Sequence, residues 1–200
     1  MLAVMDGTSI NPDPSQLRAL AHPLRLRMLG ILRTEGATTA TALAQRLGLN
    51  SGSASYHLRQ LASHGFIVDD EERGNGRERW WRAAHTSTRL DWEAEEPDPA
   101  DQEAVDAYLQ SVVVVYNQML QQMVEDRATL SDEWRNASTM SDWRCRLNPS
   151  QARRLLDKVE GIIEQFEAEE ELPEDDPTGV PYTIMFHGFP RPGGQTGGTS

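Results

Sequence analysis

Between two short stretches of helical periodicity lie three residues, Gly48-Leu49-Asn50, that leave few ways to arrange the elements on either side. Gly48 supplies the left-handed backbone that stops one helix, Leu49 buries, and the Asn50 side chain caps the next helix. The first helix runs from a cap at Thr38 or Thr39 through Leu47, with Leu43, Ala44 and Leu47 pointing inward. The second spans about Ser51 to His64, turns Ala54, Leu58 and Leu61 to the core, and stops at Gly65. Helix, tight glycine-containing turn, helix is the physical content of a helix-turn-helix.

The flanks extend this unit. Residues 1–14 end in Asn11-Pro12-Asp13-Pro14 and read as a disordered lead-in. Ser15 reads as the cap of a helix reaching about Arg33, along which Leu17, Leu20, Leu24, Met28 and Leu32 recur at three- and four-residue steps. Pro23 demands a restart inside that stretch, in a first turn where no amide donor is needed. Downstream, Phe66-Ile67-Val68 and the run from Arg77 to Ala84 favour strands around a Gly74-Asn75-Gly76 tip. A hairpin directly after a helix-turn-helix is a wing, and the whole defines a domain over residues 15–90.

A net charge of −12 argues against a nucleic-acid partner until it is divided along the chain. From Ser15 to Leu90 eleven arginines face six carboxylates, a balance of +5; from Asp91 to Ser200 eight basic residues face twenty-three acids, a balance of −15. This asymmetry assigns contact with polyanions to the N-terminal half. A helix that enters a major groove needs a thin outer wall, and Ser51, Gly52, Ser53 and Ser55 provide one together with hydroxyl groups. Tyr56, His57, Arg59 and Gln60 add side chains long enough for bases or phosphates. Around the wing glycines, Arg73, Arg77 and Arg79 suit phosphates or a minor groove. Asp69, Asp70, Glu71 and Glu72 oppose such binding unless they point away or pair with those arginines.

The stretches LRALAHPLRLRMLGIL, LAQRLGLNSGSASYHLRQLASHGFI and GRERWWRA resemble the ArsR/SmtB family of winged-helix repressors, over about Leu17 to Ala84. The resemblance implies operator binding by a homodimer, with Ser53, Ser55, Tyr56, His57 and Arg59 on the recognition helix and Arg77 on the wing. The chain departs from the metal-sensing members, because the helix Ala40–Leu47 carries no metal ligand. His22, His57, His64, His85 and His187 show no close ligand spacing, and a single cysteine, Cys145, excludes an intramolecular disulfide and a multi-cysteine zinc site. Neither metal nor cofactor is expected. His57 lies where it can touch DNA, and His22 before Pro23 reads as structural.

Beyond the wing, residues 91–101 place two prolines among six acids and read as an acidic linker. A long helix follows from about Ala100 to Ala128. Its stripe of Val105, Leu109, Val112, Tyr116, Met119 and Met123 asks for an apolar partner, either a symmetry mate or the helix at Gln151 to Phe166. Ser141–Leu147 and Val180–Phe186 alternate and read as strands on either side of a helix opened by Asn148-Pro149. Residues 102–188 thus form a C-terminal dimerization domain, with a disordered tail at 189–200. Trp134, Met140, Trp143, Tyr182, Met185 and Phe186 either pack as core or line a pocket for a small apolar effector. Cys145, on one of the alternating runs, reads as buried and inert.

The expected fold class is therefore mainly α with small β: a winged helix-turn-helix domain, a long dimerization helix and a strand-helix-strand unit. No Walker pattern, Gly-x-Ser-x-Gly or zinc-binding His pair supports an enzyme. No apolar run approaches the ~20 residues of a membrane span, and the start MLAVMDGTSINPDPS lacks a cationic leader region, so a cytoplasmic site is expected. The expected function is that of a sequence-specific DNA-binding transcription regulator, a dimeric repressor on an inverted-repeat operator. The alternative is a module whose winged helix and helical extension contact proteins instead of DNA.

Overall fold

In the computed structural model, which describes residues 9–71, 73, 78–90, 98–170, 172–173 and 176–191, the first helices each begin at a side chain that replaces a missing backbone partner. Helix α1 (Pro14–Leu20) follows β1 (Ser9–Ile10) and starts at Asp13. The Asp13 carboxylate accepts from the Gln16 amide at 2.9 Å, and the Gln16 side chain accepts from the Asp13 amide at 2.9 Å. That pairing holds the Asp13 carboxyl below the usual carboxylate range. The cap is therefore Asp13 and not Ser15. Pro14, with its fixed φ and no amide donor, suits the first helical position and puts Ser15 inside the helix.

Helix α2 (Pro23–Thr34) restarts at Pro23, capped by His22, whose Nδ1 accepts from the Leu24 amide at 3.2 Å. After β2 (Thr38–Thr39), helix α3 (Ala40–Leu47) begins where the Thr39 hydroxyl accepts from the Ala42 amide at 3.2 Å. Gly48 ends α3 at φ +66°, and the Leu49 amide donates back to the Ala44 carbonyl at 2.8 Å. Asn50 then caps α4 (Ser51–Ser63), accepting from the Ser53 amide at 2.8 Å.

Strands β3 (Ile67–Asp69) and β4 (Trp80–Ala83) pair antiparallel, with Ile67 opposite Ala83 and Asp69 opposite Trp81. On its other edge β4 takes β2, with Thr38 opposite Trp81, so the wing is tied to the segment that starts α3. A second, parallel pair joins β1 to β5 (Ser87–Thr88), with Ile10 opposite Thr88. Residues 9–14 of the expected disordered lead-in are thus a strand, a buried Pro12, a cap and a helix start, and Ile10 packs on the core. Two residues are too few for alternation to announce a strand. Residues 1–8 and the wing positions 72 and 74–77 lie outside the described residues.

The core of this part is built from Leu20, Met28, Leu29 and Leu32 with Leu43, Leu58, Leu61 and Phe66. Each such side chain contributes about 1.5–3 kcal/mol relative to exposure. Helix α5 (Pro99–Asp126) is capped by Asp98, which accepts from the Ala100 amide at 2.8 Å, and it packs on α1 and α2. Its buried positions are Ala104, Tyr108, Ser111 and Val115. The expected stripe is rotated by one residue: Val105, Leu109, Val112 and Tyr116 are half-buried along its edge, Met119 is exposed and Met123 half-buried. Accordingly α5 belongs to the N-terminal unit, residues 1–135, whereas the sequence reading grouped it with 102–188. Positions 98–101 of the expected linker are the cap and first turn of α5; 91–97 lie outside the described residues.

Arg33 of α2 fastens this arrangement, donating to the His85 carbonyl and to the Thr88 hydroxyl, both at 2.9 Å. Burial lowers its guanidinium to about 10, with Tyr108 and Tyr116 close enough to favour the charge. The same burial pushes Tyr108 up to about 12.

A short turn at Arg127–Thr129 and helix α6 (Asp132–Asn136) precede the second unit, residues 136–200. Its helix α7 (Pro149–Glu169) opens with a capping box between Asn148 and Gln151. The expected strand-helix-strand is corrected here. Ser141–Leu147 and Val180–Phe186 form no strand, because alternation prepares a face but a strand also needs a ladder partner. Trp143 is 79% exposed, and Met140, Tyr182 and Phe186 are exposed too, so these side chains do not enclose the expected pocket. Cys145 is exposed instead of buried. Residues 192–200 lie outside the described residues. The architecture is mainly α with small sheets, a winged helix-turn-helix followed by a long helix. Among the described residues no helix is long and apolar enough to cross a membrane.

Candidate nucleic-acid interface

The orientation of α4 follows from what it buries. Ala54, Leu58 and Leu61 sit in the core, which turns Ser51, Gly52, Tyr56, Arg59 and Ser63 outward and leaves Ser53, Ser55 and Gln60 half-buried. No carboxylate occurs in the helix, so nothing on it repels a phosphate. Its first turn presents small side chains and backbone amides at the positive end of the helix dipole. The close packing there is specific: a Cβ on Gly52 would stand 3.3 Å from the Asn50 side-chain oxygen and press on the cap. Tyr56 is 51% exposed, and Arg59 is exposed without an ion pair to any described residue.

His57 departs from the expected set. It is only 8% exposed and faces inward, its ring centroid 4.7 Å from His22 and 5.3 Å from Tyr56. Its Nδ1 has no hydrogen-bond partner among the described residues. Three residues after Ala54 and four before Leu61, position 57 falls on the core face of the helix, so His57 lies behind the outer face. Burial, then the charges of His22 and Arg25, hold His57 below the ordinary histidine range; burial, then Arg25, does the same to His22.

Arg25 is a residue that the sequence reading missed. It lies in α2, donates through Nε to the Ala19 carbonyl and through a terminal nitrogen to the Arg18 carbonyl at 3.4 Å, and is near enough to Tyr56 for their charges to interact. Its position three residues after the cap at His22 was the available signal.

On the wing, Arg73 and Arg79 are already engaged. Arg79 is paired with Asp69 and lies over the Trp81 ring, 4.7 Å from its centroid. Arg73 is 3.8 Å from Asp70 and 5.9 Å from the Trp80 ring centroid. Two of the opposing acids are thus neutralised by the arginines beside them. Arg77 lies outside the described residues. Among the described residues no group of three or more His, Cys, Asp or Glu side chains is placed to hold a metal ion.

A family model described as a helix-turn-helix domain matches residues 20–69, from the end of α1 through β3. No curated protein matches the chain. The matched segment contains α2, α3 and α4 with the Gly48 turn, and it points to a DNA-binding regulator.

Proposed function

We propose that this protein is a sequence-specific transcription regulator that binds an inverted-repeat operator as a homodimer, without a metal, and represses by occupancy. The observation that carries the reading is the outer face of α4: small side chains at its start, no carboxylate along it, and Tyr56 and Arg59 exposed. Ser51 and Ser53 with the first-turn amides suit phosphates, while Tyr56, Arg59 and Gln60 suit base edges or the flanking backbone. His57 and His22 hold α4 against α2 from the inner side. Ser55 and the wing residues Arg73, Arg77 and Arg79 add backbone contacts, the last after exchanging Asp69 for a phosphate.

Two such helices in successive major grooves require half-sites about 34 Å apart, which a two-fold dimer provides. The half-buried edge of α5, with Val105, Leu109, Val112, Tyr116 and Met123, and the exposed Met119 offer the apolar surface for that dimer. The site of action in this reading is the cytoplasm. A small apolar effector would have to bind the DNA-competent geometry differently from the incompetent one.

The test is selection of binding sites from a random duplex pool, then anisotropy on the selected sequence across a salt series. Tight binding over random DNA, with a salt slope that Arg59→Ala reduces by about one, supports the assignment. Recovery of no sequence above background would overturn it in favour of a winged helix that binds protein.

A further inference from the structure

Helix α7 carries an apolar row that the described residues of its own unit leave exposed. Ile162 is 67% exposed, Phe166 64% and Leu155 41%, and their seven- and four-residue spacing puts them on one face. The neighbouring row is occupied from within the unit: Leu156 is half-buried and approaches Gly188 so closely that a Cβ there would stand 3.1 Å away. Leu155, Ile162 and Phe166 have no such neighbour among the described residues of the unit and stay open.

The charges of α7 say what partner fits them. Arg153, Arg154 and Lys158 lie in its first half with Asp157, which pairs with Arg153 at 3.1 Å, and Glu160, Glu164, Glu167 and Glu169 lie in its second, a balance of +2 against −4. The first turn holds no acid and the last turn no base, so the side chains leave both ends of the helix dipole unanswered. A second α7 laid antiparallel answers both ends at once. It brings the half with Arg154 and Lys158 beside the half with Glu164 and Glu167, and Leu155 against Phe166, with the two-fold axis near position 160. A parallel pair would stack like charge on like. We infer that α7 is a second self-association surface, on which two copies of this chain pair antiparallel through Leu155, Ile162 and Phe166.

The pairing is separate from the α5 surface, and one experiment distinguishes them. In full-length protein with Cys145→Ser, a nitroxide at Gln151→Cys reads the distance between copies by pulsed electron resonance. At 1.5 Å rise per residue, the antiparallel pair gives about 30 Å and a parallel pair about 10 Å. We expect the longer distance, its loss in Ile162→Glu, and its persistence when Met119→Glu removes the α5 contact. Reversing the charge of one half, with Arg154→Glu and Lys158→Glu, should abolish the signal. Adding Glu164→Lys and Glu167→Lys should restore it, which a merely structural role of those side chains would not do. A distance near 10 Å, no distance between copies, or no restoration by the full swap would each overturn the pairing. A fall in mass on Met119→Glu with no α7 signal would leave the α5 dimer standing without it.

Discussion

His22 and His57 stand with ring centroids 4.7 Å apart, one capping α2 and the other on the inner face of α4, so the two helices meet through a pair of imidazoles. Both rings titrate below the ordinary histidine value, chiefly because burial penalises their charged forms. Their neutral forms fit; a proton on either would sit beside the other ring and Arg25. The Asp69 and Asp70 carboxylates belong to the wing, and no carboxylate contributes to either shift.

The consequence is a stability that depends on pH in a defined window. Unfolded, each histidine binds a proton near its ordinary value of 6.5; folded, it does so only at lower pH. The unfolded chain therefore binds more protons as pH falls through 6.5, and stability present above that value is lost below it. His85, also lowered by burial, adds in the same direction, whereas Asp13 acts only near and below the carboxylate range. Urea midpoints should fall between pH 7 and pH 5, and His57→Phe should flatten that fall. An equal fall in the variant would show that the pair is not responsible.

The Asn50 cap offers a way to separate folding from recognition. Asn50→Ala removes the acceptor for the Ser53 amide and should cost about 1 kcal/mol of stability. Asn50→Asp caps equally well but sets a negative charge at the start of the proposed DNA-facing helix. Denaturation should find the aspartate variant as stable as the parent, and DNA titration should find it the weaker binder. Equal DNA affinity for the two proteins would place the first turn of α4 away from phosphate.

How far the sequence announced all this depended on how local each signal was. Gly48 and Asn50 act within a few residues, and both took the conformations their chemistry requires. The first cap was read one proline too late, because Ser15 is as good an acceptor as Asp13 and only the position of Pro14 decides between them. The length of its side chain puts His57 among the candidate DNA contacts, although its spacing from Ala54 and Leu61 places it on the inner face. In α5, adjacent apolar pairs such as Ala104/Val105 broaden the stripe, and packing on α1 and α2 chose the first member of the pair. The alternation at Ser141–Leu147 is real, but a ladder partner is a non-local fact that no alternation supplies.

Arg33 should be a joint between α2 and the β5 region, beside Tyr108 of α5. Its guanidinium donates to the His85 carbonyl and the Thr88 hydroxyl from a half-buried position near Tyr108. Arg33→Met keeps the stem and removes both hydrogen bonds, a loss of about 1–2 kcal/mol. Hydrogen exchange should accelerate first in the β5 region and the early turns of α5. Exchange that changes only globally would mean that Arg33 adds stability without coupling these elements.

The wing makes the sharpest prediction, because Arg73 and Arg79 begin engaged. Arg79 must give up Asp69 before it can hold a phosphate, and an exposed ion pair of this kind is worth only about 0–1 kcal/mol. Asp69→Asn removes the competitor and one negative charge while keeping the shape of the side chain. DNA affinity should rise by a few-fold, most at low salt, with little change in the urea midpoint. Arg79→Ala should lower affinity less than Arg59→Ala does, since Arg59 has no described partner to exchange. The double variant Asp69→Asn with Arg79→Ala tells whether the gain runs through Arg79. If Asp69→Asn still strengthens binding when Arg79 is absent, the effect is general charge removal, and the wing arginine is a packing residue over Trp81.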